Sequence, residues 1–331
     1  MIDIANVSRK EREELFIVTS RQIGLPEAMI EKDFWICWIL NYLFHLCPWA
    51  KHFAFKGGTS LSKCYGMIER FSEDIDMVLD WRVLGYAVNE PCVERSRTKQ
   101  DRFNKEVVTR TEGFLANEFL LHMQLDFGRL LSDDFRLYVD DMEPQTICFS
   151  YPRIFGNDSI LSIVRLEIGA LAAWTPTEST VVTPYVAQSY PNLFTKPSAQ
   201  VLTVSPERTF WEKVTILHKE AFRVNGRIPP RYSRHYYDLY CMDKFPVKER
   251  AYGELELLQQ VARFKDRFYY SGSAHYELAK PGTMRLIPPE VSVMALRADY
   301  EHMKNMIFGI QPEFDDVARC IKRIESEINS I

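Results

Sequence analysis

The chain has 331 residues, a formal net charge of −4, 46% hydrophobic residues and 26% charged residues. This composition is typical of a globular protein with one large domain or two modest ones, and it excludes a disordered chain. No stretch reaches the roughly 18–20 apolar residues that a membrane-spanning helix needs, and residues 1–12 lack an apolar signal core. We therefore expect a cytoplasmic protein with no membrane partner.

The seven cysteines are odd in number and no two form a CxxC pair. A disulfide framework or a zinc site is therefore not expected, and reduced, mostly buried thiols are the better interpretation.

The first elements in chain order are two helices. Residues 8–20 begin with a capping residue, Ser8, and continue with helix formers. Residues 26–46 form a long apolar helix that ends before Pro48. The segment HFAFKGG predicts a buried strand that runs into a glycine turn, followed by a helix from Thr59 or Ser60 to residue 68. The segment FSEDIDMVLDW, with alternating acidic and apolar residues, predicts a second strand.

The rest of the chain changes character near residue 200. Residues 93–122 are charged and helix-forming, and four further strands are predicted in the segments DFRLYVDD, QTICFSYP, SIVRLEIGAL and TVVTPYV. From Ser205 onward the pattern is helical. We place the boundary between Pro197 and Ser205 and predict an α+β fold. Residues 1–200 would form a mixed-sheet core with N-terminal helices, and residues 201–331 a helical domain that closes the active-site cleft.

One short stretch combines two features that suit phosphate chemistry. Gly57 and Gly58 lie between a strand and a helix, where glycine lets the backbone approach a ligand and the helix N-terminus offers free N–H groups. Asp74 and Asp76 are two apart on a strand, so both carboxylates project from the same face while Ile75 faces the core. Such a pair repels unless a divalent cation binds it. Together these features predict nucleotidyl or phosphoryl transfer with Mg²⁺.

The segment FKGGTSLSKCYGMIERFSEDIDMVL resembles the nucleotidyltransferase signature of the AbiEii/AbiGii toxin family. This family includes the MenT toxins and belongs to the DNA polymerase β-like superfamily. The resemblance extends over about residues 25–325, through IEKDFWICWIL, SPERTFWEKVTILHK, RHYYDLYCM, GTMRLIPP and DYEHMKNMIFG, in the expected order.

The resemblance also implies roles for individual residues. It implies that Asp74 and Asp76 hold catalytic magnesium. Contacts with the nucleotide phosphates are implied for Lys56, Gly57, Gly58, Thr59, Ser60, Arg70, Ser72 and Lys213. Asp238 would complete the active centre from the helical half. Whether Thr59 or Ser60 supplies the phosphate-binding hydroxyl stays open.

Four of these assignments have alternatives based on the residues alone. The superfamily commonly has a third carboxylate, for which Glu167 is the candidate metal ligand, although it could instead pair with Arg165. Lys213 could be a solvated lysine, and Asp238 could pair with Arg234 on the same helix face. A basic run could face RNA or could simply be solvated; it comprises Lys219, Arg223, Arg227, Arg231 and Arg234.

The resemblance predicts that the protein transfers NMP from an NTP to an acceptor hydroxyl, the 3′ end of tRNA being the expected acceptor. The protein would then be the toxin of a toxin–antitoxin or phage-defence pair, with a winged-helix antitoxin as partner. Two alternatives remain open. The acceptor could be a protein hydroxyl, as in an AMPylase, or the chain could be a nucleotide-binding regulatory module without turnover.

Overall fold

Capping residues set the first helices of the chain. The computed structural model describes residues 1–156, 161–172, 175–223 and 227–331. Ser8 and Glu11 form a capping box, and Gly24 ends the helix in the left-handed conformation with φ of 74°. The helices in this part of the chain are α1 (Ile2–Ala5), α2 (Arg9–Ile23) and α3 (Glu27–His45).

A seven-stranded mixed sheet follows. Its strands are β1 (Phe53–Lys56), β2 (Asp74–Leu79), β3 (Arg136–Val139), β4 (Thr146–Ser150), β5 (Val164–Gly169), β6 (Thr177–Val182) and β7 (Ala199–Val204). Their order across the sheet is β3-β4-β5-β2-β1-β7-β6. β2 pairs antiparallel with β1 and parallel with β5, and β1 pairs parallel with β7. The central position of β2 places its side chains between those of two neighbouring strands.

Helix α3 packs against one face of this sheet through aromatic side chains. The ring of Trp35 contacts that of Phe149 on β4 at 5.8 Å between centroids, and Trp38 contacts Phe127 at 4.7 Å. All four rings are buried, and Phe127 belongs to a helix that packs beside α3. The other α-helices between α3 and β7 are α4 (Gly57–Lys63), α5 (Arg97–Phe114), α6 (Leu120–Leu130) and α7 (Tyr185–Ser189).

The chain divides into two units. The first comprises Met1–Cys64 and Ser72–Thr203, and the second comprises Tyr65–Phe71 and Val204–Ile331. In the second unit, the segment Tyr65–Phe71 forms an antiparallel bridge between Arg70 and Ile307. The helices of that unit are α8 (Pro206–Ala221), α9 (Ser233–Met242), α10 (Val247–Gly253), α11 (Leu255–Phe268), α12 (Glu290–Met303) and α13 (Phe314–Asn329).

The α+β class, with a mixed-sheet core and a helical C-terminal half, is confirmed. One local prediction is wrong. Helix α4 begins at Gly57 and ends at Lys63, so the glycines form its first turn and residues 65–68 are not helical. The two units divide between Thr203 and Val204, within the stretch from Pro197 to Ser205 that the sequence indicates as a boundary. This stretch also contains strand β7, which was not predicted and whose Thr203 pairs with Phe55 of β1.

All seven cysteines are free, and none of the described helices is long and apolar enough to cross a membrane.

Glu31 makes the stability of the protein depend on pH. Burial raises the pKa of Glu31 from 4.5 to about 7, although the N–H groups of Ile154 and Phe155 donate to its carboxylate. The unfolded chain therefore loses this proton near pH 4.5 and the folded chain only near pH 7. Stability should consequently fall as the pH rises between these values, by at most about 3 kcal/mol.

This expectation can be measured by urea denaturation at pH 4.5 to 7.5. Glu31→Gln removes the titrating group, so its free energy of unfolding should fall less steeply with pH than that of the wild type. Two parallel curves would contradict the assignment.

Candidate active site

A row of polar side chains crosses three neighbouring strands on one face of the sheet. Asp74 and Asp76 are half-buried on β2, while Ile75 between them is fully buried. Asp76 lies opposite Lys56 on β1 and opposite Glu167 on β5. Because directly opposed residues of paired strands share a face, Lys56, Asp76 and Glu167 form one row, with Asp74 two residues along β2.

Gly57 brings the start of α4 directly against this row. Its φ is 85°, and a Cβ at this position would lie 1.9 Å from Oδ2 of Asp76. Only glycine both adopts this backbone conformation readily and leaves room for the carboxylate. The sequence therefore needs Gly57 for close approach to Asp76, in addition to any approach to a ligand.

Thr59 and Ser60 both use their hydroxyl groups inside the protein. The hydroxyl of Thr59 donates to the carbonyl oxygen of Asp74 at 2.5 Å, and that of Ser60 donates to the carbonyl oxygen of Gly57 at 2.9 Å. Both side chains are buried. The Thr59 bond ties α4 to the first residue of β2, which fixes the glycine turn relative to the carboxylate pair.

Glu167 is electrostatically coupled to the aspartates. Burial, together with the negative charges of Asp76 and Asp74, raises the pKa of Glu167 to about 7. The alternative, an ion pair between Glu167 and Arg165, is not found in the structure. The Arg165 guanidinium donates to Asp140 at 2.6 Å and to Glu143 at 2.5 Å. Glu167 is therefore a half-buried carboxylate beside two others, an arrangement that a bound cation would stabilise.

The donor set of this row fits a hard divalent cation. Carboxylate oxygens are the ligands that Mg²⁺ prefers, and Mg²⁺ usually keeps waters and substrate phosphates in its remaining positions. Within the described ranges, no group of three or more His, Cys, Asp or Glu side chains could hold a metal ion by itself. The assignment of Asp74, Asp76 and Glu167 as metal ligands stays a prediction, in which nucleotide oxygens and water complete the coordination.

In the second unit, Arg70, Lys213 and Asp238 form a buried ionic cluster. Arg70 donates to both carboxylate oxygens of Asp238, at 2.7 and 2.8 Å, and Lys213 Nζ donates at 2.6 Å. Their exposed fractions are 4%, 6% and 0% for Arg70, Lys213 and Asp238. Lys213 is therefore not a solvated lysine, and Asp238 pairs with Arg70 and Lys213.

Burial perturbs the titration of this cluster. Burial raises the pKa of Asp238, but the positive charges of Arg70 and Lys213 lower it by more. The pKa of Asp238 therefore lies below its usual range. Burial also lowers the pKa of Lys213, against the opposing effect of Asp238. The roles in nucleotide binding and catalysis that the resemblance implies for these three residues stay predictions.

Removing the shared carboxylate should destabilise the second unit strongly. Asp238→Ala leaves Arg70 and Lys213 buried without their common partner, and we expect a loss of about 3–5 kcal/mol in the free energy of unfolding. Urea denaturation would measure it. The control is Asp315→Ala, which removes the exposed partner of Arg297 and should change stability by less than about 1 kcal/mol. Equal effects of the two substitutions would contradict a buried network.

The remaining predicted positions are more scattered. Ser72 is half-buried two residues before β2. In the basic run, Arg223 pairs with Glu220, and the backbone N–H of Arg231 donates to Asp299. Residues 224–226 lie outside the described part of the chain. An RNA-facing role for this run stays a prediction.

Two sets of ionic contacts in this region were not predicted from the sequence. Arg165 on β5 was considered only as a partner of Glu167, but it pairs with Asp140 and Glu143. Buried ionic contacts also come from α3, where Lys32 contacts Glu73, the residue before Asp74. The sequence feature that indicated these contacts was a run of three consecutive charged residues within an apolar helix.

Carboxylates on neighbouring strands, beside a helix that begins with glycine, are the arrangement expected of a nucleotidyltransferase. The family model "Nucleotidyl transferase AbiEii toxin, Type IV TA system" matches residues 38–320. Since this match covers most of the sequence, the chain belongs to the AbiEii family of nucleotidyltransferase toxins, which confirms the resemblance and the enzyme class.

Among solved structures, the chain is similar to MenT4, a nucleotidyltransferase toxin from Mycobacterium tuberculosis H37Rv. The sequence identity is 16% and the TM-score 0.44, with 95% of this chain and 97% of that chain covered. No curated protein matches the chain.

Proposed function

We propose that this protein is a Mg²⁺-dependent enzyme that transfers NMP from an NTP to the 3′ end of tRNA. It would act in the cytoplasm as the toxin of a toxin–antitoxin pair that serves phage defence, with a winged-helix antitoxin as partner. The observation that carries the proposal is the row of Asp76 and Glu167 on adjacent strands, with Asp74 beside it and Gly57 against Asp76. The acceptor and the antitoxin type rest on the family resemblance.

In this proposal the chain's own residues orient the nucleotide. Lys56 and the first turn of α4, from Gly57 to Ser60, contact the triphosphate through the lysine charge and backbone N–H groups. Among the described residues, no side chain caps the N-terminus of α4 by a hydrogen bond. The acceptor hydroxyl attacks the α-phosphorus, a new P–O bond forms, and pyrophosphate leaves. Asp74, Asp76 and Glu167 would hold Mg²⁺, which when bound neutralises phosphate charge and lowers the pKa of an attacking hydroxyl.

A labelling experiment tests the proposal. Purified protein is incubated with Mg²⁺, total tRNA and each α-³²P-labelled NTP in turn, and Asp74→Ala protein is run in parallel. We expect label on RNA with the wild type alone, for one preferred nucleotide. Mg²⁺ dependence is tested in the same assay by adding EDTA.

Other outcomes would replace parts of the proposal. Label on protein would indicate an AMPylase-like acceptor, and NTP binding without any label would favour a regulatory module. If cellular toxicity is unchanged in Asp74→Ala, the catalytic basis of the toxin role is wrong.

A further inference from the structure

Three consecutive charged residues are buried within the most apolar helix of the protein. Glu31, Lys32 and Asp33 on α3 are exposed to 0%, 1% and 3%. Buried charges are unfavourable unless each one is paired and hydrogen-bonded, so three in succession need partners in three directions. Neighbouring residues on a helix point about 100° apart, and this run can therefore reach separate segments.

Lys32 and Asp33 bind opposite ends of one stretch of chain. Lys32 Nζ donates to Glu73 at 2.8 Å and to the carbonyl oxygen of Leu161 at 2.8 Å. Asp33 pairs with Lys63 at 2.6 Å, and its other oxygen accepts from the N–H of Tyr185 at 2.7 Å. All these residues belong to the first unit.

The two partners mark where the chain leaves and re-enters the first unit. Lys63 is the last residue of α4, the helix that starts with Gly57, and Glu73 directly precedes Asp74 of β2. Between them, residues 65–71 belong to the second unit. The helix with the glycine turn and the strand with the carboxylate pair are thus joined by a segment that packs elsewhere, and α3 holds both of its ends.

The polarity of the two ion pairs makes their pairing specific. Lys32 is positive and Glu73 negative, whereas Asp33 is negative and Lys63 positive. An exchange of partners would place Lys32 against Lys63 and Asp33 against Glu73, two like-charge contacts in a buried environment. Such contacts are strongly unfavourable, so the charges select one arrangement of α4 and β2 on α3.

We propose that Lys32 and Asp33 are positioning residues for the active site. They act through Glu73 and Lys63 and hold β2 and α4 in the relation that places Gly57 against Asp76. The catalytic consequence rests on the function proposed above, whereas the structural consequence, a fixed relation of α4 to β2, does not.

The test replaces each ion pair by uncharged side chains of similar size. Lys32→Met/Glu73→Leu and Asp33→Asn/Lys63→Met remove the charges without leaving an unpaired one buried, so the protein should remain folded. Arg12→Met is the matched control, because Arg12 is also buried in the first unit and pairs with Asp133, which belongs neither to the row of carboxylates nor to α4 or β2. Each protein is examined by thermal denaturation, hydrogen exchange and the labelling assay.

The proposal predicts a separation of activity from stability. Both double variants should show at least tenfold faster amide exchange in residues 57–63 and 74–79, and a 10- to 100-fold lower kcat with a smaller change in KM for the NTP. Arg12→Met should lower Tm but leave kcat and this exchange unchanged. The charge-swapped protein Lys32→Glu/Glu73→Lys should recover part of the lost kcat.

Two results would each contradict a different part of this proposal, and the measurements distinguish one from the other. Wild-type exchange and kcat in both double variants would show that the pairs only stabilise the fold. If the wild type itself transfers no label, the proposed function fails, while the exchange comparison still decides whether α3 positions α4 and β2.

Discussion

Asp76→Asn is expected to lower nucleotidyl transfer by about 1000-fold or more while the protein stays folded. In the proposed function Asp76 is a metal ligand, and the interactions of such an ion with transition-state charge amount to several kcal/mol, which corresponds to this factor. The substitution also removes repulsion between Asp76 and Glu167, whose pKa the charge of Asp76 helps to raise. Single-turnover assays and thermal denaturation with and without Mg²⁺ would measure both quantities.

Glu178→Gln provides the control for Asp76→Asn. It removes one carboxylate from an exposed position of the edge strand β6 in the same sheet, so transfer should keep the wild-type rate. Mg²⁺ should raise Tm for the wild type and for Glu178→Gln but not for Asp76→Asn. A wild-type rate in Asp76→Asn would remove Asp76 from the catalytic site.

Gly57→Ala is expected to have the second largest effect. The added Cβ would lie 1.9 Å from Oδ2 and 2.7 Å from Cγ of Asp76, so the carboxylate or the start of α4 must move. A displacement of about 1 Å at a reacting centre can lower the rate about 100-fold, and we expect a loss of at least that size in kcat. The measurement is the labelling assay under single-turnover conditions.

Gly24→Ala separates the steric effect from backbone strain. Gly24 has a similar φ of 74°, but a Cβ there meets no atom within 4 Å. Both substitutions should reduce stability by about 1 kcal/mol for the left-handed backbone alone. Only Gly57→Ala should lose activity. Equal kcat values for the two variants would show that the contact with Asp76 does not matter for transfer.

The sequence predicted the parts of the site that depend on local pattern. Alternation along β2 placed Asp74 and Asp76 on one face, and the glycine pair marked the strand-to-helix turn. Periodicity is a local property of the backbone, so it can be read without knowledge of the fold. The helix cap at Ser8 was predictable for the same reason, and the helical pattern that begins at Ser205 starts at the residue that caps α8.

Contacts between distant segments could not be predicted in this way. The sequence suggested Arg234, a neighbour on the same helix, as a partner of Asp238. In the structure Asp238 pairs with Arg70, which is far away in the sequence. Likewise, the contact of Gly57 with Asp76 depends on the packing of α4 against β2. Strand β7, Ala199–Val204, was not predicted either, and its pairing with β1 is decided by tertiary structure.

The strand order has a consequence for synthesis on the ribosome. β1 lies between β2 and β7, and Phe55 pairs with Thr203, so one side of β1 lacks a partner until residue 203 has been made. Glu167 likewise joins Asp76 only after β5 emerges. Pairings between distant segments form slowly. The nascent chain of this protein therefore has an incomplete row of carboxylates and an unpaired FAFK edge until more than half of it is translated, and we expect prematurely terminated chains to aggregate.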